Sequence, residues 1–114
     1  MTSITVQQLS PNLSVAPQLG PEAMALAAQQ GFKSVVNNRP DFEGGPEQPT
    51  NAVIEAAAIA AGLAYSHLPV APGFQSAEEI AQFAGLLATM PKPVLAFCRS
   101  GARSGKLFLA ATRG

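Results

Sequence analysis

The residue best suited to covalent chemistry is Cys98, the single cysteine in a chain of 114 residues. It begins the segment 98–104, of sequence CRSGARS, which follows the apolar run Val94–Phe97 and precedes a stretch with helical character. The free backbone N–H groups and the dipole at the start of a helix favour an anion. Arg103 adds a positive charge, and each of these effects lowers the pKa of a thiol, whose thiolate is the reactive form. The pattern therefore predicts a nucleophilic Cys98 inside an anion-binding loop.

The other residues of this loop are predicted to hold the anion. Gly101 lets the backbone turn tightly around a small ligand. Ser104 is expected to assist when the thiolate departs from a covalent intermediate. The residues expected to line the bound anion are Arg99, Ser100, Gly101 and Ala102. A lone cysteine is usually a small core residue, but a cysteine followed by this pattern, between a strand and a helix, is much less often one.

A second group of charged residues follows the predicted strand 32–37. In one interpretation Arg39 helps to bind substrate, and Asp41 orients an arginine or donates a proton. In the other, the two only stabilise their loop through a local salt bridge, and Pro40 stiffens the turn in either case. His67 is the single histidine and is expected to be a hydrogen-bonded structural residue of a strand. One histidine and one cysteine far apart do not predict a zinc site, so neither a metal nor a cofactor is expected.

Charge is distributed unevenly along the chain, although the formal net charge is zero. Every acidic residue lies at or before Glu79. The cations beyond that point are Lys92, Arg99, Arg103, Lys106 and Arg113. A neutral chain is not expected to bind nucleic acid, but its positive final part predicts that small anions are attracted to the cysteine segment. A chance run of solvated charges is the alternative.

Length and composition predict one domain over residues 1–114. Hydrophobic residues make up 47% of the chain and charged residues 12%, which excludes a disordered chain. A single cysteine excludes an intramolecular disulfide, and the amino end carries no signal-peptide pattern. The longest apolar stretch, 56–64, is too short to cross a bilayer. We therefore expect a cytoplasmic protein without a membrane partner.

Strand and helix patterns alternate along the chain. Short apolar runs at 4–6 and 13–15 predict two strands joined by a turn. The later patterns predict three strands, at 32–37, 65–70 and 94–97. They also predict four helices, of which three lie at 21–30, 51–61 and 104–112, and one starts at the capping box 76–79 and ends before the prolines of 90–93. This order predicts a single α/β domain with a mostly parallel central sheet flanked by helices. The last helix is short for its position, which suggests a truncated helix or a fused partner.

The chain resembles the phosphatase-like domain of the beta-lactamase-hydrolase-like proteins. The resemblance lies in the stretches 14–18 (SVAPQ), 35–41 (VVNNRPD) and 94–104 (VLAFCRSGARS). It implies the fold of dual-specificity and tyrosine phosphatases, a bacterial origin, and frequent association with sulfide-oxidising enzymes. The loop itself resembles that of single-domain rhodaneses, since only four residues separate Cys98 from Arg103. Dual-specificity phosphatases place five residues there, and usually a histidine where this chain has Phe97.

These resemblances imply two functions for the cysteine. In the first, which the sequence favours, a rhodanese-type sulfurtransferase takes sulfur from thiosulfate or a persulfide onto Cys98, and an external thiol or cyanide removes it. Arg103 would hold the anionic donor. In the second, Cys98 attacks a phosphate ester to form a phosphocysteine, and Arg103 binds the phosphoryl oxygens. An inactive anion-binding module is a third alternative.

The preference for sulfur transfer depends on a missing acid together with the short loop. Phosphate-ester hydrolysis needs a general acid for the leaving oxygen, and phosphatases of this fold usually supply an aspartate from a loop before the cysteine. In this chain the corresponding loop, 68–75, contains no acid, and Asp41 is the candidate substitute. The expected partners are a small anionic substrate, an external thiol acceptor, and a fused or neighbouring sulfide-oxidising enzyme.

Overall fold

Nine elements follow one another in the computed structural model, which describes residues 4–113. The strands are β1 (Gln7–Ser10), β2 (Leu13–Ala16), β3 (Ser34–Asn37), β4 (Ala64–His67) and β5 (Val94–Phe97). The helices are α1 (Glu22–Gln29), α2 (Asn51–Ala60), α3 (Ala77–Thr89) and α4 (Ala102–Arg113). Within this part of the chain, no helix has the length and apolarity that crossing a membrane requires.

The strands form one sheet in the order β1-β2-β5-β3-β4. β1 is antiparallel to β2, and every other pair is parallel. β5 lies in the centre, and all of its residues are buried, which explains its uninterrupted apolar sequence. The last residues of the parallel strands, Ala16, Phe97, Asn37 and His67, are in register. The segments that follow these strands therefore meet at one edge, and the predicted α/β class is confirmed.

The first strand lies later in the chain than predicted. Ile4 and Val6, whose alternation predicted a strand, instead pack half-buried against the core before β1 begins. The pairing of β1 with β2 is irregular between Gln8 and Ser10. Alternating apolar residues indicate that one face of a segment is buried, but they do not show that the segment pairs with another strand. At 4–6 the alternate residues are half-buried although the segment is not part of the sheet.

The fourth strand is shorter than its apolar pattern. The prediction extended it to Val70, but β4 ends earlier. The N–H groups of Leu68 and Val70 still donate to the carbonyls of Asn37 and Asn38, at 2.9 and 3.0 Å. Pro69 lies between them and has no N–H, so the chain follows β3 without forming a regular ladder.

Two apolar clusters cover the two faces of the sheet. One packs Met24 of α1 and Ile54 of α2 against one set of alternate β5 residues. The other packs Phe83 of α3 and Leu107 of α4 against the remaining β5 residues. Because alternate residues of a strand point to opposite faces, β5 is sandwiched between both helix layers. The two helix layers therefore fix the position of β5, from which the segment 98–104 continues.

We expect Phe83→Ala to destabilise the fold strongly. Phe83 has no exposed surface and is the one fully buried residue of α3. Its truncation removes apolar contacts and leaves a cavity, which should lower the free energy of unfolding by about 3–5 kcal/mol. Urea unfolding followed by circular dichroism measures this loss. Gln82→Ala, at the exposed neighbouring position, is the control, and an equal loss in both variants would contradict the expectation.

Candidate active site

The segment 98–104 connects β5 to α4 at the edge where the parallel strands end. The N–H of Cys98 donates to the carbonyl of Ala16 at 3.4 Å, so the segment starts against the end of β2. Gly101 also lies against β2, with a φ of 94°, and a Cβ atom there would come within 3.3 Å of the Ala16 oxygen. A side chain at this position would be strained and crowded. Glycine therefore allows the loop to close over the sheet edge.

The Cys98 thiol lies among backbone amides at the start of α4. Its Sγ accepts a hydrogen bond from the N–H of Gly101 at 3.0 Å. Burial raises the pKa of the thiol, but the N–H groups of Ser104, Ser100, Arg103 and Gly101 outweigh it and bring the pKa below its ordinary value of 9.0. The surroundings thus favour the thiolate. Cys98 is itself fully buried, with 0% of its surface exposed.

The final helix begins earlier than predicted, at Ala102. The hydroxyl oxygen of Ser100 accepts a hydrogen bond from the N–H of Ala102 at 3.3 Å. The early start places Arg103 and Ser104 in the first turn, where backbone N–H groups have no partner within the helix. Those N–H groups are therefore available to the Cys98 sulfur.

The guanidinium of Arg103 has one edge bound by the protein, and the donors of another edge have no described partner. Its Nη1 and Nη2 donate to the two carboxylate oxygens of Glu43 at 2.8 and 2.6 Å, and Nη1 also donates to the carbonyl of Val70 at 3.0 Å. The remaining donors, on Nε and Nη2, share one edge of the planar group and bind no other described residue. Among the described residues no buried side-chain nitrogen lacks a partner, so the unpartnered Nε reaches accessible space, although Arg103 as a whole is only 8% exposed. Such a pair of donors suits an oxyanion.

Glu43 joins the two arginines that the sequence analysis singled out. Its Oε1 accepts a hydrogen bond from Nε of Arg39 at 2.9 Å as well as from Arg103. Arg39 also donates from Nη1 to the side chain of Gln18 at 3.0 Å, and the N–H of Gln18 donates to the carbonyl of Arg99 at 3.2 Å. Arg39 is thus connected to the cysteine loop by two routes. Its predicted role in substrate binding stays a prediction, since both of these routes are structural contacts.

We expect Glu43→Gln to weaken the fold in a pH-dependent way. The hydrogen bond from Arg103 lowers the pKa of the Glu43 carboxyl below its ordinary value of 4.5 against the opposing effect of burial, and Arg39 lowers it further. Because the folded-state pKa is the lower one, this contribution is complete above pH 4.5 and is lost as the pH falls through the folded-state value. Solvent screening limits the expected loss at neutral pH to about 1 kcal/mol.

Denaturant unfolding of the wild type and Glu43→Gln, at neutral pH and in steps below pH 4.5, measures this effect. The difference in unfolding free energy should shrink as the pH falls. Glu47→Gln, an exposed position in the same loop, is the matched control. A difference that stays constant with pH would show that the charge of Glu43 does not stabilise the fold.

The Ser104 hydroxyl is bound to Asn38 and not to the cysteine. Ser104 Oγ lies 2.8 Å from Asn38 Oδ1, and both residues are fully buried. The Nδ2 of Asn38 donates to the carbonyl of Leu68 at 3.0 Å, so the amide oxygen faces Ser104 and the hydroxyl must be the donor. A hydroxyl has one proton, which in this arrangement is unavailable to the Cys98 sulfur. Ser104 assists the thiol through its backbone N–H, and the predicted help from its hydroxyl stays a prediction.

Asp41 and His67 both have structural partners away from the thiol. The Oδ1 of Asp41 accepts a hydrogen bond from the N–H of Asn51 at 2.7 Å, at the start of α2. The Nε2 of His67 lies 2.9 Å from the carbonyl of Arg39, as expected of a structural histidine. Among residues 4–113, His, Cys, Asp and Glu side chains form no cluster that could hold a metal ion. No described contact brings Asp41 to the cysteine loop, so its role as a proton donor stays a prediction.

Sequence reasoning missed three residues that organise this site, namely Gln18, Asn38 and Glu43. Each bonds to a residue far away in the chain. The i, i+4 spacing of Glu43 from Arg39 was the one local signal. The exposed loop residues Arg99, Ser100 and Ala102 were identified, but among them only the Ser100 N–H acts on the thiol.

The sequence of residues 5–113 matches the family model described as beta-lactamase hydrolase-like protein, phosphatase-like domain. A beta-lactamase hydrolase-like protein of Xylella fastidiosa is 34% identical over 103 residues, which cover 90% of this chain and 24% of that protein. The chain therefore spans about a quarter of the length of this curated relative.

The fold is shared with solved structures of phosphatase type. A candidate phosphatase of Neisseria meningitidis superposes with a TM-score of 0.82 at 33% identity, over 90% of this chain and 72% of that one. A kinase-associated phosphatase, whose catalytic-site cysteine is replaced by serine, gives a TM-score of 0.76 at 14% identity, over 97% and 76% of the two chains. The second likeness shows the fold alone. Together they confirm the predicted dual-specificity and tyrosine phosphatase-like fold.

The family match includes β5, the Cys98 loop and the β3 segment that carries Arg39. The chain therefore belongs to the phosphatase-like domain family of the beta-lactamase hydrolase-like proteins.

Proposed function

We propose that this domain is a cysteine-dependent phosphate monoester hydrolase. The observation that carries the proposal is the placement, in one loop, of a thiol that accepts a backbone N–H and an arginine whose Nε and second Nη2 donors bind no described residue. The shared phosphatase fold supports it, and one protein of that fold has a catalytic-site cysteine. This proposal differs from the preference for sulfur transfer that the short loop and the missing acid together favour in the sequence.

The proposed reaction has two steps at Cys98. In the first, the thiolate forms an S–P bond while the ester P–O bond breaks, and the electron pair leaves with the ester oxygen. In the second, a water oxygen attacks phosphorus, the S–P bond breaks, and its electron pair returns to sulfur. The phosphoryl oxygens carry negative charge in both transition states. The loop N–H groups and the unpartnered donors of Arg103 would stabilise that charge.

The covalent intermediate provides the test. The protein is mixed rapidly with para-nitrophenyl phosphate, quenched in acid and analysed by intact-protein mass spectrometry. It should carry one phosphoryl group, and the unquenched reaction should release phosphate. Cys98→Ser is the control and should gain no mass. Hydrolysis by the wild type no faster than by this control, with no adduct, would reject the proposal.

Sulfur transfer is the second candidate, and two observations favour it. The loop has four residues between Cys98 and Arg103, and the segment 68–75 holds no acid. The Cys98 thiolate would bond to the outer sulfur of thiosulfate while the S–S bond breaks, and sulfite would leave with the electron pair. The same mass measurement with thiosulfate would then show gain of one sulfur atom, discharged by cyanide. This second candidate function also requires an external thiol to accept the sulfur from Cys98. A fused or neighbouring sulfide-oxidising enzyme would be its expected partner.

A further inference from the structure

A cavity of about 630 Å³ lies between the first strand and the last helix, and we call it the β1–α4 cavity. Residues of the segment 5–9 and of 15–17 form one side of it, and 100–102 with the exposed face of α4 form the other. Neither Cys98 nor Arg103 is among its lining residues. A concave site of this volume is large enough to hold a small organic molecule.

Most of the surface of the β1–α4 cavity is apolar. Leu9 and Phe108 pack only partly buried against the core, and both line the cavity. Leu109 lines it as well and is 57% exposed. Scattered exposed apolar side chains are ordinary on a protein surface, but apolar side chains gathered in one concavity are typical of a binding site.

Gly105 enlarges this cavity from the middle of α4. Glycine destabilises a helix interior relative to alanine, because it gains no side-chain contacts and costs more backbone entropy. A Cβ atom added at Gly105 would meet no atom within 4 Å beyond its chain neighbours and its own helix backbone. Packing among the described residues therefore does not require glycine here, whereas a molecule in the cavity would fill the space that its missing side chain leaves.

Lys106 gives the cavity a single charge. It is the one ionisable residue among those that line the cavity, and its side chain is exposed at the rim. The salt bridges among the described residues do not include it. The helix that carries Lys106, α4, contains no acid. An apolar cavity with one ammonium group at its rim is complementary to an apolar molecule that carries one negative charge.

We propose that the β1–α4 cavity binds an apolar monocarboxylic acid, with its hydrocarbon chain between β1 and α4 and its carboxylate on Lys106. A fatty acid of medium chain length has this chemistry. The proposal does not depend on the proposed hydrolase function, because the cavity is separate from the thiol and from Arg103. The acid would contact residues 100–102, and the N–H of Gly101 in that segment donates to the Cys98 sulfur.

Calorimetric titration of the protein with decanoate, below the concentration at which decanoate forms micelles, tests the binding. One decanoate should bind per chain, and acetate, which has the charge without the hydrocarbon chain, should not bind. Lack of decanoate binding would overturn the proposal and would leave the cavity to an apolar segment of a protein partner. Acetate binding as tight as that of decanoate would also overturn it.

Two variants locate the hydrocarbon chain. Gly105→Leu should weaken decanoate binding roughly tenfold or more, because its side chain takes the space of about two CH₂ groups of the ligand. Gly85→Leu is the matched control, since Gly85 lies in α3 and an added Cβ there also meets nothing within 4 Å. Circular dichroism checks that both variants fold. Equal affinity in the folded variants would overturn the proposal.

Lys106→Gln tests the position of the carboxylate, and it remains informative if Gly105→Leu fails to fold. It should lower the affinity for decanoate by up to about fivefold, as expected of an exposed charge pair, and leave the affinity for decanol unchanged. An equal effect on the acid and the alcohol, or no effect on either, would overturn the assignment of Lys106.

Backbone amide spectra recorded by NMR during the decanoate titration show where the acid lies. The largest shifts should occur in 5–9, 100–102 and 105–109, and saturating inorganic phosphate should not compete. Shifts centred on 39–43, abolished by phosphate, would place the acid at Arg103 and overturn the proposal. Shifts centred on α2, whose Val53 and Ile59 are also exposed, would show binding to apolar surface in general and would overturn it too.

Discussion

Cys98→Ser is expected to lower phosphate-ester hydrolysis roughly 10⁴-fold or more, because the step that forms the covalent intermediate requires the thiolate. A serine hydroxyl is not ionised at neutral pH, and no described base contacts position 98. The fold should persist, since the hydroxyl oxygen can accept the hydrogen bond that Gly101 donates to sulfur. Activity is measured with an acidic aryl phosphate, and circular dichroism checks the fold.

Binding of inorganic phosphate to Cys98→Ser distinguishes loss of the nucleophile from a disturbed loop. Calorimetric titration of Cys98→Ser should still show phosphate binding, because the loop N–H groups and Arg103 are unchanged. Retained hydrolysis with normal phosphate binding would exclude Cys98 as the nucleophile. Loss of both would instead show that the substitution disturbed the loop.

Arg103→Lys is expected to lower kcat/KM roughly 10³-fold or more, although the charge is conserved. A lysine ammonium cannot present two parallel N–H donors to the phosphoryl group. It also cannot donate to both Glu43 oxygens and to the Val70 carbonyl at once, as Arg103 does. Steady-state kinetics measure the loss of activity, and phosphate titration should show weaker binding.

The pH dependence of Cys98 alkylation shows whether the charge of Arg103, as distinct from the shape of its guanidinium, lowers the pKa of the thiol. Arg103 and the Cys98 thiolate attract each other, so Arg103→Ala should raise the pKa of the thiol, and the pH at which iodoacetamide reacts should rise with it. Arg103→Lys should leave that pH closer to the wild-type value. An unchanged alkylation profile in Arg103→Ala would show that the backbone N–H groups alone stabilise the thiolate.

The elements that carry the cysteine could be predicted because their signals are local. β5 is an unbroken apolar run, and the chain leaves it directly into a loop that opens a helix. The capping box of Ser76 and Glu79 marks the start of α3 and is present in the structure. Element ends were less accurate: the N–H of Val70 bonds to a neighbouring segment without extending β4, and the hydroxyl of Ser100 binds the N–H of Ala102 at the early start of α4.

The residues around the thiol could not be predicted in the same way, because their partners are distant in sequence. Glu43 and Arg103 lie 60 positions apart, and Asn38 and Ser104 lie 66 apart. Both pairs exist because parallel strands end in register at one edge of the sheet. The sequence alone suggested a purely positive cysteine segment, and the fold adds a carboxylate to it.

Asp41 and Glu43 show what the sequence predicts and what only the tertiary structure decides. By itself the sequence determined the α/β class and predicted the nucleophile and the anion-binding loop, since these depend on neighbouring residues. The sequence also shows that acids follow β3, but it does not show which of them binds Arg103. The chain turns at Phe42, whose φ of 63° is left-handed, and Asp41 bonds to α2 while Glu43 bonds to the arginines. Only the tertiary structure decided this, because the choice depends on where α2 and the cysteine loop lie in space.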